Sequence, residues 1–182
     1  YLALFVFFTA NALVLFVLPT DFNVFDAGYA TLEPFFDWIP WVFLFLIPAI
    51  CMRSFSEEKK TGTMEVLLTR PLSDWQIVLA KYLACFLLMF VSLLPTFVYL
   101  YTVSSLASPA GNMDYGAFWG AYAGLLLIGA AFVAVCLFMS SLTDSQVVAF
   151  VLSVVACAVL YQGFGLLGAM SRQGGLGLAL SS

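Results

Sequence analysis

The sequence predicts an all-α protein, a polytopic bundle of transmembrane helices. Hydrophobic residues make up 64% of its 182 residues and charged residues only 9%, whereas a soluble domain carries roughly 25% charged residues. The mean hydropathy of +1.08 agrees with this class. Apolar stretches long enough to approach or exceed the roughly 20 residues of a membrane span alternate with polar segments. We therefore expect a single transmembrane domain over residues 1–182.

The first two predicted spans cover residues 1–18 and 38–55. The chain starts inside an apolar run and has no basic segment typical of a signal peptide, so we expect it to be a fragment of a longer protein. Pro19 ends the first span. Residues 20–37 contain four acids and no Lys or Arg, a composition expected on the non-cytoplasmic side of the membrane.

The third predicted span covers residues 74–101. Trp75 marks one membrane interface, and Pro95 is expected to bend the far end of the helix. Lys81 lies nearly two turns inside, from where its long side chain can reach back to the surface.

The fourth and fifth predicted spans cover residues 117–139 and 147–167. Small residues at Gly116, Gly120 and Gly124 give the fourth span a face that permits close helix packing. The sequence therefore contains five predicted spans.

A polar loop over residues 56–73 joins the second and third spans. Five of the six Lys and Arg residues lie between Arg53 and Lys81, so the loop is predicted to be cytoplasmic. Ser56 is expected to cap a first helical turn. Ser73, with Gln76 three residues later, fits a capping box that begins the next span.

A short amphipathic helix is predicted within this loop, at the membrane surface. Thr63 offers its N-cap, and Pro71 stops it. Met64, Leu67 and Leu68 fall on one face at helical spacing. This apolar face rests either on lipid and neighbouring spans or on a partner protein.

The order of residues in EEKKTGTMEVLLTRPLSDWQIVLAK resembles the cytoplasmic segment after the second span of ABC transporter permeases of the type-two export superfamily. Within that superfamily, it is most similar to the permease associated with bacterial gliding motility. The resemblance implies six spans, of which five are visible here, and a short cytoplasmic coupling helix that docks a separate ATPase subunit. The implied docking residues are Glu57, Glu58, Gly62, Thr63, Met64, Glu65, Leu67, Leu68 and Pro71.

The same resemblance implies a multi-pass permease subunit of the bacterial inner (plasma) membrane. It would move substrate, by export or in connection with gliding motility, using ATP hydrolysed by the nucleotide-binding subunit. Its other partners would be the lipid bilayer and a second permease chain, in a homo- or heterodimer. No nucleic acid is expected among its partners.

The residues that enzymes commonly use for chemistry are missing from the sequence. Histidine is absent, which rules out a Ser-His-Asp or Cys-His arrangement, and no G-x-x-x-x-G-K-[ST] loop is present to hold ATP phosphates. The four cysteines lie in or beside apolar spans without a C-x-x-C pair. We expect no catalytic, cofactor-binding or metal-binding residue.

Two other functions fit an apolar helical chain. A secondary carrier usually needs ionisable groups inside the membrane, and no predicted span carries an acid or Lys near its centre. A structural or scaffold subunit would also lack such groups. The order of residues in the polar loop favours the permease over the scaffold.

Overall fold

The computed structural model describes residues 2–17, 33–63, 73–106 and 115–174. Its α-helices are α1 (Leu2–Phe16), α2 (Glu33–Cys51), α3 (Arg53–Thr61), α4 (Asp74–Leu93), α5 (Phe97–Leu106), α6 (Tyr115–Leu142) and α7 (Gln146–Gly174). A 3-10 turn, Leu94–Thr96, joins α4 to α5. No strand occurs in these four ranges.

Four helical stretches in the described part of the chain are long and apolar enough to cross a membrane: Pro34–Thr61, Asp74–Ser105, Gly116–Leu142 and Gln146–Gly163. α1 is shorter, with 15 residues, or about 22 Å at the helical rise of 1.5 Å per residue. The protein is therefore an all-α, polytopic transmembrane bundle.

α2 is the central helix and packs against α1, α4, α6 and α7. Apolar side chains at every fourth position are buried along it, which places them on one side of the helix. These side chains belong to Phe35, Ile39, Phe43, Ile47 and Cys51.

Among the glycines of α6 that the structure describes, Gly129 lies close to side chains of two neighbouring helices. A Cβ atom there would lie 2.7 Å from Cε of Met89 and 3.3 Å from a ring carbon of Phe43, so a larger residue would displace one of them. At Gly120 and Gly124, a Cβ atom would meet nothing within 4 Å. Within the described chain, the close packing expected at those two glycines thus occurs at Gly129.

The long helix that starts at residue 74 is interrupted at Pro95, where the sequence predicts a bend. Proline cannot donate a backbone hydrogen bond, and the chain forms a 3-10 turn there. The carbonyl of Leu93 accepts the hydroxyl of Thr96 at 2.6 Å and that of Tyr122, on α6, at 3.1 Å. Side chains thus bind a carbonyl at the point where regular helical hydrogen bonding changes.

The predicted start of α4 is confirmed. Ser73 is the N-cap residue, and its backbone N–H donates to Oε1 of Gln76 at 3.1 Å, as in a capping box. Large apolar side chains then point away from the bundle along α4 and α7, where lipid would cover them. They include Leu79, Leu83, Leu87, Val151 and Val155.

Candidate functional site

α3 begins where α2 ends, and the backbone stays helical between them. Met52 has φ −55° and ψ −28°, within the α-helical range. The sequence predicts a loop from residue 56 with Ser56 as a cap, but the helix continues to Thr61 and buries Ser56 in its interior. The Ser56 hydroxyl donates to the carbonyl of Met52, one turn earlier. The polar segment therefore starts as a helical continuation of α2.

Gly62 ends α3. Its φ of 70° lies in the left-handed region, which glycine enters without a steric penalty, and its N–H donates to the carbonyl of Lys59 at 3.2 Å. Lys59 and Lys60 occupy the last turn, where positive charge suits the carbonyl end of a helix. The backbone is helical again at Thr63.

Lys81 of α4 reaches across to α3. Its ammonium nitrogen lies 2.6 Å from Oε2 of Glu58, donates to the carbonyl of Ser54, and sits 4.4 Å from the centre of the Phe55 ring. All three groups belong to α3. The sequence predicts that Lys81 extends towards the membrane surface, and the structure shows that it meets a carboxylate, a carbonyl and an aromatic face.

Ser140, near the end of α6, binds the start of α3. Its hydroxyl accepts the N–H groups of Phe55 at 3.2 Å and Ser56 at 3.3 Å, and it donates to the carbonyl of Met52 at 3.2 Å. The next residue, Ser141, offers its carbonyl to the ammonium group of Lys59 at 2.5 Å. Two consecutive residues of α6 therefore bind α3.

We call this set of contacts between α3, α4 and α6 the α3 junction. It also contains the Ser54 hydroxyl, 3.2 Å from the Cys85 thiol of α4. Its members are Ser54, Phe55, Ser56, Glu58, Lys59, Lys81, Cys85, Ser140 and Ser141. The junction lies at one end of the bundle and links a largely polar helix to two apolar ones.

The four cysteines are buried, and Cys136 and Cys157 place their sulfur atoms 3.6 Å apart. In the ranges that the structure describes, no group of three or more His, Cys, Asp or Glu side chains is arranged to hold a metal ion.

The structure describes four of the residues implied in docking. Glu57, Gly62 and Thr63 are exposed, whereas Glu58 is partly buried and faces Lys81. The hydroxyl of Thr63 lies 2.9 Å from that of Thr61 and donates to the carbonyl of Glu58 at 3.3 Å. Five other implied residues lie outside the described residues: Met64, Glu65, Leu67, Leu68 and Pro71.

Sequence reasoning missed the parts of the junction that come from distant helices. Ser140 and Ser141 lie more than 80 positions from their α3 partners, and nothing in their local sequence distinguishes them from other small polar residues. The signal for Lys81 was stronger, because a lysine inside an apolar helix needs a polar partner. Its partner is evident only in the structure, where the side chain of Lys81 reaches α3.

Two grooves between α6 and α7 have volumes of about 590 Å³ and 650 Å³. Their walls are apolar except for Gln162 and the hydroxyl end of Tyr161. In a transmembrane bundle, such grooves suit lipid chains. The α3 junction, with its ion pair and polar contacts between three helices, is the candidate functional site.

Comparison with known proteins gives this architecture a family. No curated protein and no solved structure matches the chain, but the family model described as ABC-2 family transporter protein matches residues 30–175. The match contains α2 to α7 and therefore the complete α3 junction. Members of this family are membrane subunits of ABC transporters, and the ATPase is a separate subunit. With most of its length and all of its long apolar helices inside the match, the chain belongs to the ABC-2 family of transporter proteins.

Proposed function

We propose that this chain is the permease subunit of an exporter in the bacterial inner membrane, with the α3 junction on the cytoplasmic side. A separate ATPase subunit would dock on the exposed end of α3 and on residues 64–72. The observation that supports this proposal is that α3 is bound to both α4 and α6 by the contacts of the α3 junction. A force applied to α3 would therefore reach two transmembrane helices directly.

The exposed end of α3 carries the polar part of the proposed docking surface. Glu57 offers a carboxylate to basic groups of the ATPase, and Gly62 and Thr63 lie beside it at the helix end. The apolar part would come from Met64, Leu67 and Leu68, which fall on one face of the amphipathic helix that the sequence predicts. An aliphatic centre with a charged rim is a common interface composition.

The proposed mechanism depends on contacts with the ATPase that differ between two conformations of the permease. A partner shifts a conformational equilibrium only as far as its contacts differ between the two states. When two ATPase subunits close on ATP, the docked segments of the permease would be moved with them. The contacts that join α3 to α2, α4 and α6 would then tilt the transmembrane helices and change which side of the membrane the transport pathway faces.

The proposed assembly contains two permease chains, identical or related, and two ATPase subunits. The order of residues between Glu57 and Lys81 resembles that of permeases associated with gliding motility, so we propose export or a mechanical role in motility as the use of ATP. A structural subunit is the second candidate function, since it too would lack charged groups at the centres of its helices.

The docking test replaces both Leu67 and Leu68 with Asp in the full permease. Burial of a leucine side chain contributes about 1.5–3 kcal/mol, so loss of both should remove most of a micromolar complex. We expect the native ATPase subunit to co-purify with the unaltered chain and to be lost from the variant. The measurement is recovery of that subunit by pull-down, together with membrane insertion of the variant.

Lys60→Glu is the matched control. It changes the charge of the same segment by the same two units, but it alters an exposed residue and leaves the apolar face intact. We expect normal ATPase recovery with this variant. If the Leu67/Leu68 variant recovered as much ATPase as Lys60→Glu, the apolar face would rest on lipid or on the permease itself. That result would contradict the docking proposal.

A further inference from the structure

We propose that Lys81 and Glu58 form a coupling latch that makes α3 and α4 move as one body. Both are positioning residues: they transmit the movement of α3 without belonging to the docking surface itself. This role rests on the proposed function, because it concerns how force from the ATPase reaches the transmembrane helices. It also reassigns Glu58, which the sequence resemblance groups with the docking residues.

The geometry commits Lys81 to α3. Its ammonium group has an ion-pair partner in Glu58 at 2.6 Å, a carbonyl acceptor in Ser54 and an aromatic face in Phe55 at 4.4 Å. These contacts span more than one turn of α3, so they fix both the position and the rotation of the helix. A single surface ion pair would leave the rotation of the helix free.

Partial burial makes this ion pair stronger than an exposed one. The side chains of Lys81 and Glu58 are 16% and 33% exposed, and salt and water screen such a pair less than a surface pair. For Glu58 to bind an ATPase instead, it would have to leave Lys81 without a carboxylate inside the bundle. Glu57 carries no such cost, because it is exposed and among the described residues its carboxylate has no ion-pair partner.

The latch can be tested separately from the rest of the junction. α3 binds α6 through Ser140 and the carbonyl of Ser141, and neither contact involves Lys81. Lys81→Met keeps the length and apolar stem of the side chain but removes its charge and its hydrogen bonds. It should therefore loosen α3 from α4, to which only the Ser54–Cys85 contact of the α3 junction would still bind it, while leaving α3 attached to α6.

The structural experiment measures the distance between α3 and α4 with paired spin labels. Thr61 and Leu87 are both exposed, whereas the native cysteines are buried. Spin labels should therefore react with cysteines introduced at these two positions and not with the native ones. We expect a narrow distance distribution in the otherwise unaltered protein and a broad one in Lys81→Met and Glu58→Gln. Lys60→Met removes an equal charge from an exposed site on α3 and should leave the distribution narrow.

The functional experiment uses the complex with the native ATPase subunit. In Lys81→Met, we expect the turnover number for permease-dependent ATP hydrolysis to fall by roughly 2- to 30-fold, the range for residues that couple two sites without contacting either ligand. The KM for ATP and the recovery of ATPase by pull-down should not change. Lys81→Arg should restore turnover, because a guanidinium group can pair with Glu58 and stack on Phe55.

Each outcome decides the proposal. A Lys81→Met distribution as narrow as that of Lys60→Met would overturn the latch, and a broad distribution with normal turnover would overturn its role in coupling. If the unaltered permease bound no ATPase at all, the proposed function and the coupling role would both fail. The spin-label distances would still show whether Lys81 holds α3 to α4, so the two failures are distinguishable.

Discussion

At the scale of single residues, two N–H groups at the start of α3 depend on the hydroxyl of Ser140. It accepts two N–H groups and donates to one carbonyl, which uses its whole hydrogen-bonding capacity. The site is buried, so water is not available to replace the hydroxyl. A side chain from α6 thus does for α3 what a capping residue usually does from within the same helix.

We expect Ser140→Ala to lower the free energy of unfolding by about 1–3 kcal/mol, the cost of leaving buried hydrogen-bonding groups without a partner. The four buried cysteines make unfolding measurable in detergent, since a dye that fluoresces on reaction with thiols reports their exposure on heating. The midpoint temperature of Ser140→Ala should fall.

Ser141→Ala is the matched control, one position along the same helix. Its hydroxyl bonds only to the carbonyl of Phe138 within α6, and the substitution keeps the backbone carbonyl that binds Lys59. We expect a midpoint close to that of the unaltered protein. Equal effects of the two substitutions would mean that the Ser140 hydroxyl does not support α3.

Glu57 and Glu58 show how the helix turn separates identical neighbours. Successive residues in an α-helix do not face the same direction, and here one carboxylate points outward while the other meets Lys81. The sequence alone treats the two as a pair of acids at the start of a loop. Their different environments follow from the rotation of α3, which contacts with α4 and α6 determine.

At the scale of elements, α2 and α3 form one nearly continuous arm with its free end at Gly62. Met52 keeps helical backbone angles, and the Ser140 hydroxyl binds the N–H groups of Phe55 and Ser56 where the buried part of the arm meets its polar part. The left-handed Gly62 then sets the direction in which the chain leaves α3. We infer that the geometry of this one residue presents residues 64–72 to a partner.

We expect Gly62→Ala to weaken ATPase binding by up to about tenfold. A left-handed conformation costs a residue with a Cβ atom roughly 1–2 kcal/mol, and tenfold in affinity corresponds to about 1.4 kcal/mol. The side chain itself has room, since a Cβ atom at Gly62 would meet nothing within 4 Å. Titration of the ATPase subunit against the purified permease measures the affinity.

Gly62→Asn is the control for the backbone argument, because asparagine enters the left-handed region more readily than alanine does. It should bind the ATPase more tightly than Gly62→Ala, although it adds the larger side chain. If the alanine variant bound as well as the unaltered protein, the left-handed turn would have no part in docking.

At the scale of the whole molecule, composition and periodicity sufficed to predict the fold class. The apolar character of the long helices, the start of α4 at Ser73 and the interruption at Pro95 all depend on local sequence, and the structure confirms them. The start of α3 was not predictable in the same way. Ser56 and the two glutamates that follow are typical of a helix start, but Ser140 contacts keep that stretch inside a helix that began earlier.

The candidate site was predictable to the extent that it depends on residue order. The run of residues around Glu58 and Gly62 identified the segment, and the position of Lys81 nearly two turns inside the third span predicts a side chain that reaches back towards the surface. Its contact with Glu58 depends on how α3 and α4 pack, a relation across more than 20 residues that no local pattern records. The Ser140 contact depends on a still longer separation.

The orientation of the molecule in the membrane decides whether any partner in the cytoplasm can reach α3. Five of the six basic residues lie between Arg53 and Lys81, whereas residues 20–37 carry only acids among their charged side chains. Because basic loops are retained on the cytoplasmic side, the α3 end should face inward. A cysteine introduced at Lys60, which is exposed, should be labelled by a membrane-impermeant maleimide only after the membrane is opened.

A cysteine introduced at Asn23 should instead react in intact cells, since the acidic segment that contains it is predicted to lie outside. The protein without introduced cysteines is the control for background labelling, which should be low because its own thiols are buried. Labelling of position 60 in intact cells, with protection of position 23, would reverse the orientation. The ATPase could then not reach α3, and both the docking surface and the coupling role of Lys81 would be excluded together.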